Sequence, residues 1–561
     1  MLQLTRAQES RAAIEKIYIE MRHLFNRGFY KPFGVSGREV NEALLALRPE
    51  IYGSINDAKK VELEGLVYVI DRLPKGIEEC RFIKFISEEG YGSSFPVIVP
   101  LKRRRNCYRI DQEQMFMEIT RGRSEIYDSL THLTFLYNEA EKIRRRALND
   151  KGQFSREWLQ LEALVTKQTE EQSKEVAFTY LSTLLGRTFE ETKRAWQRLA
   201  ENPHTNNGLF HIVYWMGKLS IEEFLHGKDR EISFSPALRE RIGHHIYGER
   251  WAANIKRSLF ENQLIHRPLH IISSNPHSVL NCLYAYAALP KHFNGMSLEA
   301  IALELSKPEN KDLRQEIEFF AEQNGVSFLH EHGGANIPVQ IFDTTFLLKL
   351  KLHPEITINP NYIQEHKPVI LVMDYAFGEQ AYETMDELLK PYASPSGNIK
   401  LNVASISIMG KAGILEGEKG DLMIPTSHVF EGTADNYPLD NEFTKADFEG
   451  YGLRVFEGSM ITVLGTSLQN KDILSYFKNS SWKAIGLEME GAHYQKAIQA
   501  AAKIRKNINK DVILRYAYYA SDNPLVTGNT LASGSLGVIG IKPTYLITAK
   551  ILDKIINRKA E

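Results

Sequence analysis

Cysteine is nearly absent from this chain: Cys80, Cys107 and Cys282 are the only three in 561 residues, far apart and in no CxxC pair. That excludes a disulfide framework and a cysteine-built zinc site, and it fits a reducing, cytoplasmic setting. Net charge is nearly absent too, −1 at pH 7. The basic excess with which nucleic-acid-binding proteins hold phosphates is therefore missing, and no nucleic-acid partner is expected. No apolar run reaches the roughly 18 residues of a membrane-spanning helix, so no membrane partner is expected either. The opening stretch MLQLTRAQESRAAIEKIY reads as an amphipathic helix and lacks the apolar core of a signal peptide. What is present is the composition of an ordinary globular protein, 43% hydrophobic and 25% charged, at a length that makes about two to four domains the prior expectation.

The hydrophobic pattern changes along the chain. In the first half, SRAAIEKIYIEMRHLF, EIYDSLTHLTFLYNEAEKI and SREWLQLEALV repeat apolar residues every three or four positions, the period of a helix. One interruption, Val97-Ile98-Val99 between prolines, reads as a short strand. The polar, glycine-containing stretch Leu148–Ser155 marks a break. These patterns predict a mainly helical region over 1–150, a second helical region over 151–260, and a different domain over 261–561. From Pro268 onward short apolar runs alternate with helical stretches: LHIISS, VILVMD, VASISIMG, GDLMIP, SMITVLG, KAIGLEME and VILRYAYYASD. Such runs ending in Gly, Asp, Ser or Glu are the mark of an α/β domain, in which ligands bind beyond the carboxyl ends of the strands.

Two strand ends carry carboxylates. KAIGLEME places Glu488, Met489 and Glu490 just before a helix, and VILRYAYYASD ends at Ser521 and Asp522. The two sites are separated by about one helix and one strand, so a right-handed crossover would bring both acids to one rim of the sheet. If the run through Glu488 stays extended, Glu488 and Glu490 share a face and Met489 points away, so one of the three must leave the alternation.

This ordered set resembles the nucleoside phosphorylase and nucleosidase superfamily: a Met-Glu pair at a strand end, then a strand ending Ser-Asp. Ser405–Pro425 is similar to that family's passage of strand, Gly-x-Ala-Gly and Gly-Asp-strand. Val372–Leu389 resembles its strand, glycine turn and helix, with Gly378 at the turn, and Ser459–Leu474 stands where the family has a purine-contacting strand end. Asn275, His277 and Ser278 stand where the family has a phosphate loop. The resemblance covers about 369–555, with a fainter part over 268–290, and the long N-terminal region adds a likeness to AMP nucleosidases. It implies a central mixed, mostly parallel sheet flanked by helices, a homo-oligomer, no cofactor and no metal. The implied substrate is a purine nucleoside or nucleotide, with phosphate as a second partner in a phosphorolytic member. The implied reaction is hydrolysis of an N-glycosidic bond, in the AMP nucleosidase manner, to free base and ribose 5-phosphate. Two alternatives stay open: a purine nucleoside phosphorylase, and a binding protein that kept the fold without turnover.

The resemblance also implies roles. Glu490 would accept hydrogen bonds from ribose hydroxyls, Met489 would cover the sugar, and Asp522, raised in pKa by burial, would protonate the departing base. Glu488, Ser521, Lys411, Gly410 and Gly378 complete the expected binding set. Each has a plainer alternative. Asp522 before Asn-Pro could be a turn residue, Gly410–Gly413 a tight turn, and His277 a helix-start residue. Lys411 replaces a small hydroxyl residue of the family, and would bind a phosphate, point to solvent, or pair with Asp374 or Glu379. The Asn-Pro-His-Ser loop lacks the arginine a phosphorolytic enzyme would use, which favours water as nucleophile. His330-Glu331-His332 reads as a surface strand rather than a metal site. The basic runs Lys102–Arg105 and Arg144–Arg146 are solvated faces or an anionic effector site.

Overall fold

The computed structural model describes residues 4–103, 105–149, 151–166, 174–330, 333–395, 397–433, 435–526 and 536–558. Its contacts divide the chain into two compact units, one of residues 1–244 with 467–473, the other of residues 245–466 with 474–561. Sequence pattern puts boundaries at 150 and 260, whereas contacts put one at 244. Helix Gly122–Ala147 packs on Lys174–Leu185 and on Leu209–His226, which ties residues on both sides of 150 together, and helix Ile246–Glu261 belongs with the second unit.

The first unit is largely helical for reasons visible in its sequence. Helix Arg6–Arg27 opens on a Thr5–Gln8 capping box, closes at left-handed Gly28, and buries Ile14, Ile17, Met21 and Leu24 at the helical period. Helix Gly122–Ala147 is buried on most of its surface, as a helix at the centre of a unit must be. The unit also holds a six-stranded sheet that the helical reading missed apart from Val97-Ile98. Its strands are β1 (Phe29–Tyr30), β2 (Phe82–Ile86), β3 (Val97–Ile98), β4 (Cys107–Arg109), β5 (Gln114–Glu118) and β6 (Glu231–Phe234), in the order β1-β6-β2-β5-β4-β3. These strands are two to five residues long, too short for a two-residue alternation to stand out from a helical background.

The second unit is built on β7 (Leu269–Ser273), β8 (Val326–Leu329), β9 (Val339–Asp343), β10 (Val369–Met373), a hairpin of β11 (Tyr392–Ser394) and β12 (Gly397–Ile399), then β13 (Val403–Ile414), β14 (Leu422–Phe430), β15 (Asn436–Pro438), β16 (Val455–Thr462), β17 (Gly486–Glu488) and β18 (Ile513–Asp522). All but the hairpin form one sheet in the order β15-β14-β16-β17-β13-β7-β10-β9-β8, with β18 pairing both β13 and β14. Strands β13, β18, β14, β16 and β17 therefore close into a ring, while β7, β10, β9 and β8 extend it as an open sheet. The fold is mixed α/β, as expected: β7/β10, β7/β13, β13/β18, β14/β16 and β16/β17 run parallel, and the other strand pairs of the sheet run antiparallel. Closing the ring through β17 and β14 requires antiparallel contacts, which apolar-run patterns do not reveal. Strands β7 and β10 are buried at every position, which requires cover on both faces. On one side Ile272, Ile370 and Val372 share a core with Ile301 and Leu305, with Ile317, and with Ile547, Ile551 and Ile555 of helix Ile541–Ile556.

Candidate active site

The carboxyl ends of β7, β10, β13 and β18 lie together because these four strands are mutually parallel. Around them the structure gathers Asp522, Ser521, Glu488, Met489, Glu490, Gly378 and Lys411.

Strand β17 stops at Glu488, and Glu490, at φ −121° and ψ −26°, is the N-cap of helix Gly491–Gln499. This break in the alternation lets both glutamates face inward. Glu488 is 5% exposed, and both its oxygens are engaged. One accepts the Thr462 hydroxyl at 2.5 Å, and the other accepts the backbone N–H groups of Glu490 and Gly491. Thr462 Oγ1 in turn accepts the Ala492 N–H at 2.9 Å. Thr462 and Glu488 thus satisfy N–H groups that a helix start leaves unpaired, and Glu488 has this structural task whether or not it meets a ligand. Burial, with the neighbouring Glu490 charge second, raises its pKa to about 8.

Glu490 is held differently. Its Oε1 accepts the Gly378 N–H at 2.9 Å and its Oε2 the Met489 N–H at 3.3 Å. A carboxylate has about four lone-pair positions, so each oxygen keeps capacity for a further donor, and neither meets a side-chain cation within ion-pair distance among the described residues. Burial raises its pKa to about 7, against the pull of the two N–H groups and the more distant Lys411. Gly378, at φ +56°, sits in the turn after β10, where a side chain would be strained. Its amide is turned onto Glu490 by that backbone shape.

Asp522 ends β18 and is 1% exposed. Ser521 Oγ lies 2.5 Å from its Oδ1 and 3.1 Å from the Ala412 carbonyl. Its Oδ2 is buried without a hydrogen-bond partner. Burial raises the pKa, opposed by Ser521, Lys419 and Lys411. A buried carboxyl with one oxygen tied down and the other unpartnered is suited to hold a proton and deliver it.

Gly410–Gly413 is not a turn. Strand β13 runs through it, pairing Gly410 with Tyr518, Lys411 with Tyr519 and Ala412 with Ala520, with a register shift before Gly413 faces Asp522. Pairing with β18 on one side and β17 on the other keeps the segment extended. Lys411 is exposed within this strand and makes no ion pair with Asp374, Glu379 or any other described carboxylate, while its charge reaches both Glu490 and Asp522. Asn275 caps the short helix Pro276–Leu280, its side chain accepting the His277 N–H at 2.9 Å; Ser278 bonds the Asn275 carbonyl and the Thr548 hydroxyl; His277 is exposed.

Sequence reasoning missed the polar floor. Gly491 is a glycine because an added Cβ would lie 2.3 Å from the His428 ring and 2.7 Å from the Tyr518 hydroxyl. His428 Nε2 and the Tyr518 hydroxyl share a hydrogen bond of 3.0 Å, and burial depresses this histidine to about 3, so it is a neutral wedge. Tyr494 bonds Ser273 at 3.0 Å, tying the helix to the end of β7. No motif marks these residues; the only available signal was the rarity of a histidine in an apolar strand.

Arg103 pairs with Asp128, Arg105 with Glu125, and Arg144 and Arg145 with Glu141, so these cations are neutralised within the first unit; Arg104, Glu331 and His332 lie outside the described residues. Among the described residues one group could hold a metal, Glu78, Glu79 and His211 of the first unit, with candidate ligand atoms within 4.8 Å of one another. There Glu79 bonds both His211 at 2.7 Å and Arg109 at 2.9 Å.

A model of a family of unknown function (DUF6909) matches residues 38–292 and 302–557. No curated protein matches in sequence. Among solved structures, the chain is similar to the Campylobacter jejuni 5′-methylthioadenosine/S-adenosyl homocysteine nucleosidase at 10% identity and TM-score 0.31, over 52% of this chain and 100% of that one. The futalosine hydrolase of Helicobacter pylori strain 26695 matches at 13% and 0.30, over 52% and 98%. A putative nucleosidase of the first kind from Borrelia burgdorferi B31, bound to adenine, matches at 12% and 0.30, over 51% and 100%.

Proposed function

We propose, for a chain that belongs to the DUF6909 family of unknown function, that its second unit hydrolyses the N-glycosidic bond of a purine nucleoside or nucleotide. The observation that carries this reading is the contrast between two acids on one rim. Asp522 is buried, with Oδ2 unpartnered and its pKa raised, whereas Glu490 is oriented by two backbone N–H groups with lone pairs to spare.

That contrast divides the work. Glu490 accepts ribose hydroxyls and so fixes the sugar, and its negative charge favours the cation that develops at the anomeric carbon. Met489 lies beside it as a polarisable apolar surface. Asp522 gives its proton to a purine ring nitrogen as the C1′–N bond breaks, so the electron pair leaves on a neutral base. Water then bonds to C1′ and releases its proton, restoring the acid's complement overall. Water rather than phosphate is favoured as nucleophile because the Asn275–Ser278 loop has no arginine, and Asn275 and Ser278 are engaged in shaping that loop.

Incubating the full chain with AMP, adenosine, inosine and GMP, with and without inorganic phosphate, tests the reading. Free base without phosphate supports it. Base formed only with phosphate makes the enzyme a phosphorylase, and no base from any of the four overturns the reaction.

A further inference from the structure

Strand β13 carries one row of side chains whose direction is set by contacts. Arg515 donates to Ser405 at 2.8 Å and to Ser407 at 3.4 Å, and Thr548 lies against Met409. Two residues on, by the alternation of a strand, the same row reaches Lys411. The first three positions are buried and Lys411 is exposed, so the row emerges from the sheet there. Lys411 is paired in register with Tyr519, whose phenol interacts with Tyr375 in the turn after β10, and Tyr375 meets the backbone of Asn275. The ammonium group therefore opens onto the ridge shared by the loops that follow β7 and β10.

This position is costly for a glycosidase unless the charge is used. A cation within reach of both Glu490 and Asp522 opposes the positive charge growing at the sugar, and no described carboxylate neutralises it in an ion pair. An anion brought in by the substrate would do so. A purine nucleotide carries such a group on its sugar, and the loop at Asn275 offers no arginine that would hold a free phosphate instead.

We infer that Lys411 binds an anionic substituent of the substrate sugar, a 5′-phosphate, and makes the site prefer nucleotides over nucleosides. The inference rests on the glycosidase reading and names the residue that selects among its substrates. Calorimetric binding of AMP, adenosine and inorganic phosphate to the full chain, to Lys411→Met and to Lys411→Arg tests it without requiring turnover. Lys411→Met should shift the ratio of AMP to adenosine affinity about ten- to a hundredfold toward adenosine, the effect of losing one charge-assisted hydrogen bond. Lys411→Arg should restore most of that ratio.

An unchanged ratio overturns the assignment. So does a loss confined to inorganic phosphate binding, which would make free phosphate the anion. Base release by the unaltered chain separates this inference from its premise. A shifted ratio without any base release keeps Lys411 and overturns the hydrolysis; base release with an unshifted ratio does the reverse.

Discussion

Asp128 and Glu62 of the first unit and Glu490 and Asp522 of the second are buried carboxylates held in opposite ways. In the first, Asp128 faces Arg103 at 3.0 Å and His132 at 3.4 Å, and Glu62 accepts from Ser54, from two N–H groups of the helix it caps, and from Arg187 at 3.1 Å. Each charge is compensated on site, and the result is architecture. In the second, Glu490 is met by N–H groups alone and Asp522 keeps an oxygen with no partner. Burying a polar group without compensation costs stability, so its presence at the open rim of a sheet points to a task that a substrate completes.

The sharpest break would come from Asp522→Asn, which keeps size and polarity but has no acid proton. Base release should fall roughly 10²–10⁴-fold with an unchanged melting transition; normal turnover would mean that Asp522 is merely buried. Next is Asp128→Ala, which breaks the buried ion pair with Arg103 and should destabilise the first unit by about 3–5 kcal/mol. A urea titration followed by fluorescence would register it, and a loss below about 1 kcal/mol would erase the contrast between the units.

Glu490→Gln should reduce turnover of ribosides about ten- to a hundredfold, and more than that of 2′- or 3′-deoxyribosides lacking the hydroxyl it binds. Equal losses across the series would show that Glu490 does not touch those hydroxyls.

The smallest effect is in pH dependence, where Asp128 of the first unit and the Glu488–Glu490 pair of the second should act in opposite directions. Asp128 is held well below the ordinary carboxylate range by Arg103 and His132, which outweigh its burial. Its contribution is present above the unfolded pKa of about 3.9 and is lost as pH falls through the folded value. Glu488 and Glu490 are raised by burial to about 8 and about 7, so the folded second unit holds protons that the unfolded chain has released. Their contribution is present below about pH 4.5 and is lost as pH rises through these folded values. Hydrogen exchange measured unit by unit from pH 5 to 8.5 should show protection in the second unit declining with pH, and Glu488→Gln should flatten that decline. A slope untouched by the substitution would assign it elsewhere.

Much of this was legible in local pattern. The runs after Pro268 announce α/β structure because a strand buried on both faces must be mainly apolar, as β10 is throughout and β7 is apart from His270 and Ser273. The residue types at Met489-Glu490 and Ser521-Asp522 announce their positions at strand ends because a polar group can face a ligand only where an apolar run stops. Three things were not legible. The six-stranded sheet of the first unit hides in strands too short to display a period. Gly410–Gly413 reads as a turn, but partners distant in sequence, Tyr518 to Asp522 and Leu487, hold it extended. The roles of Glu488 and Glu490, identical side chains two residues apart, diverge only through neighbours brought from elsewhere: Thr462 takes up one and Gly378 orients the other. Composition and spacing determine which groups can carry chemistry, because those depend on residue type and on the nearest few peptide units. Which carboxylate is consumed by the fold and which is left for a substrate depends on hydrogen-bond partners 26 and 112 residues away, and only the packed structure brings those within bonding distance.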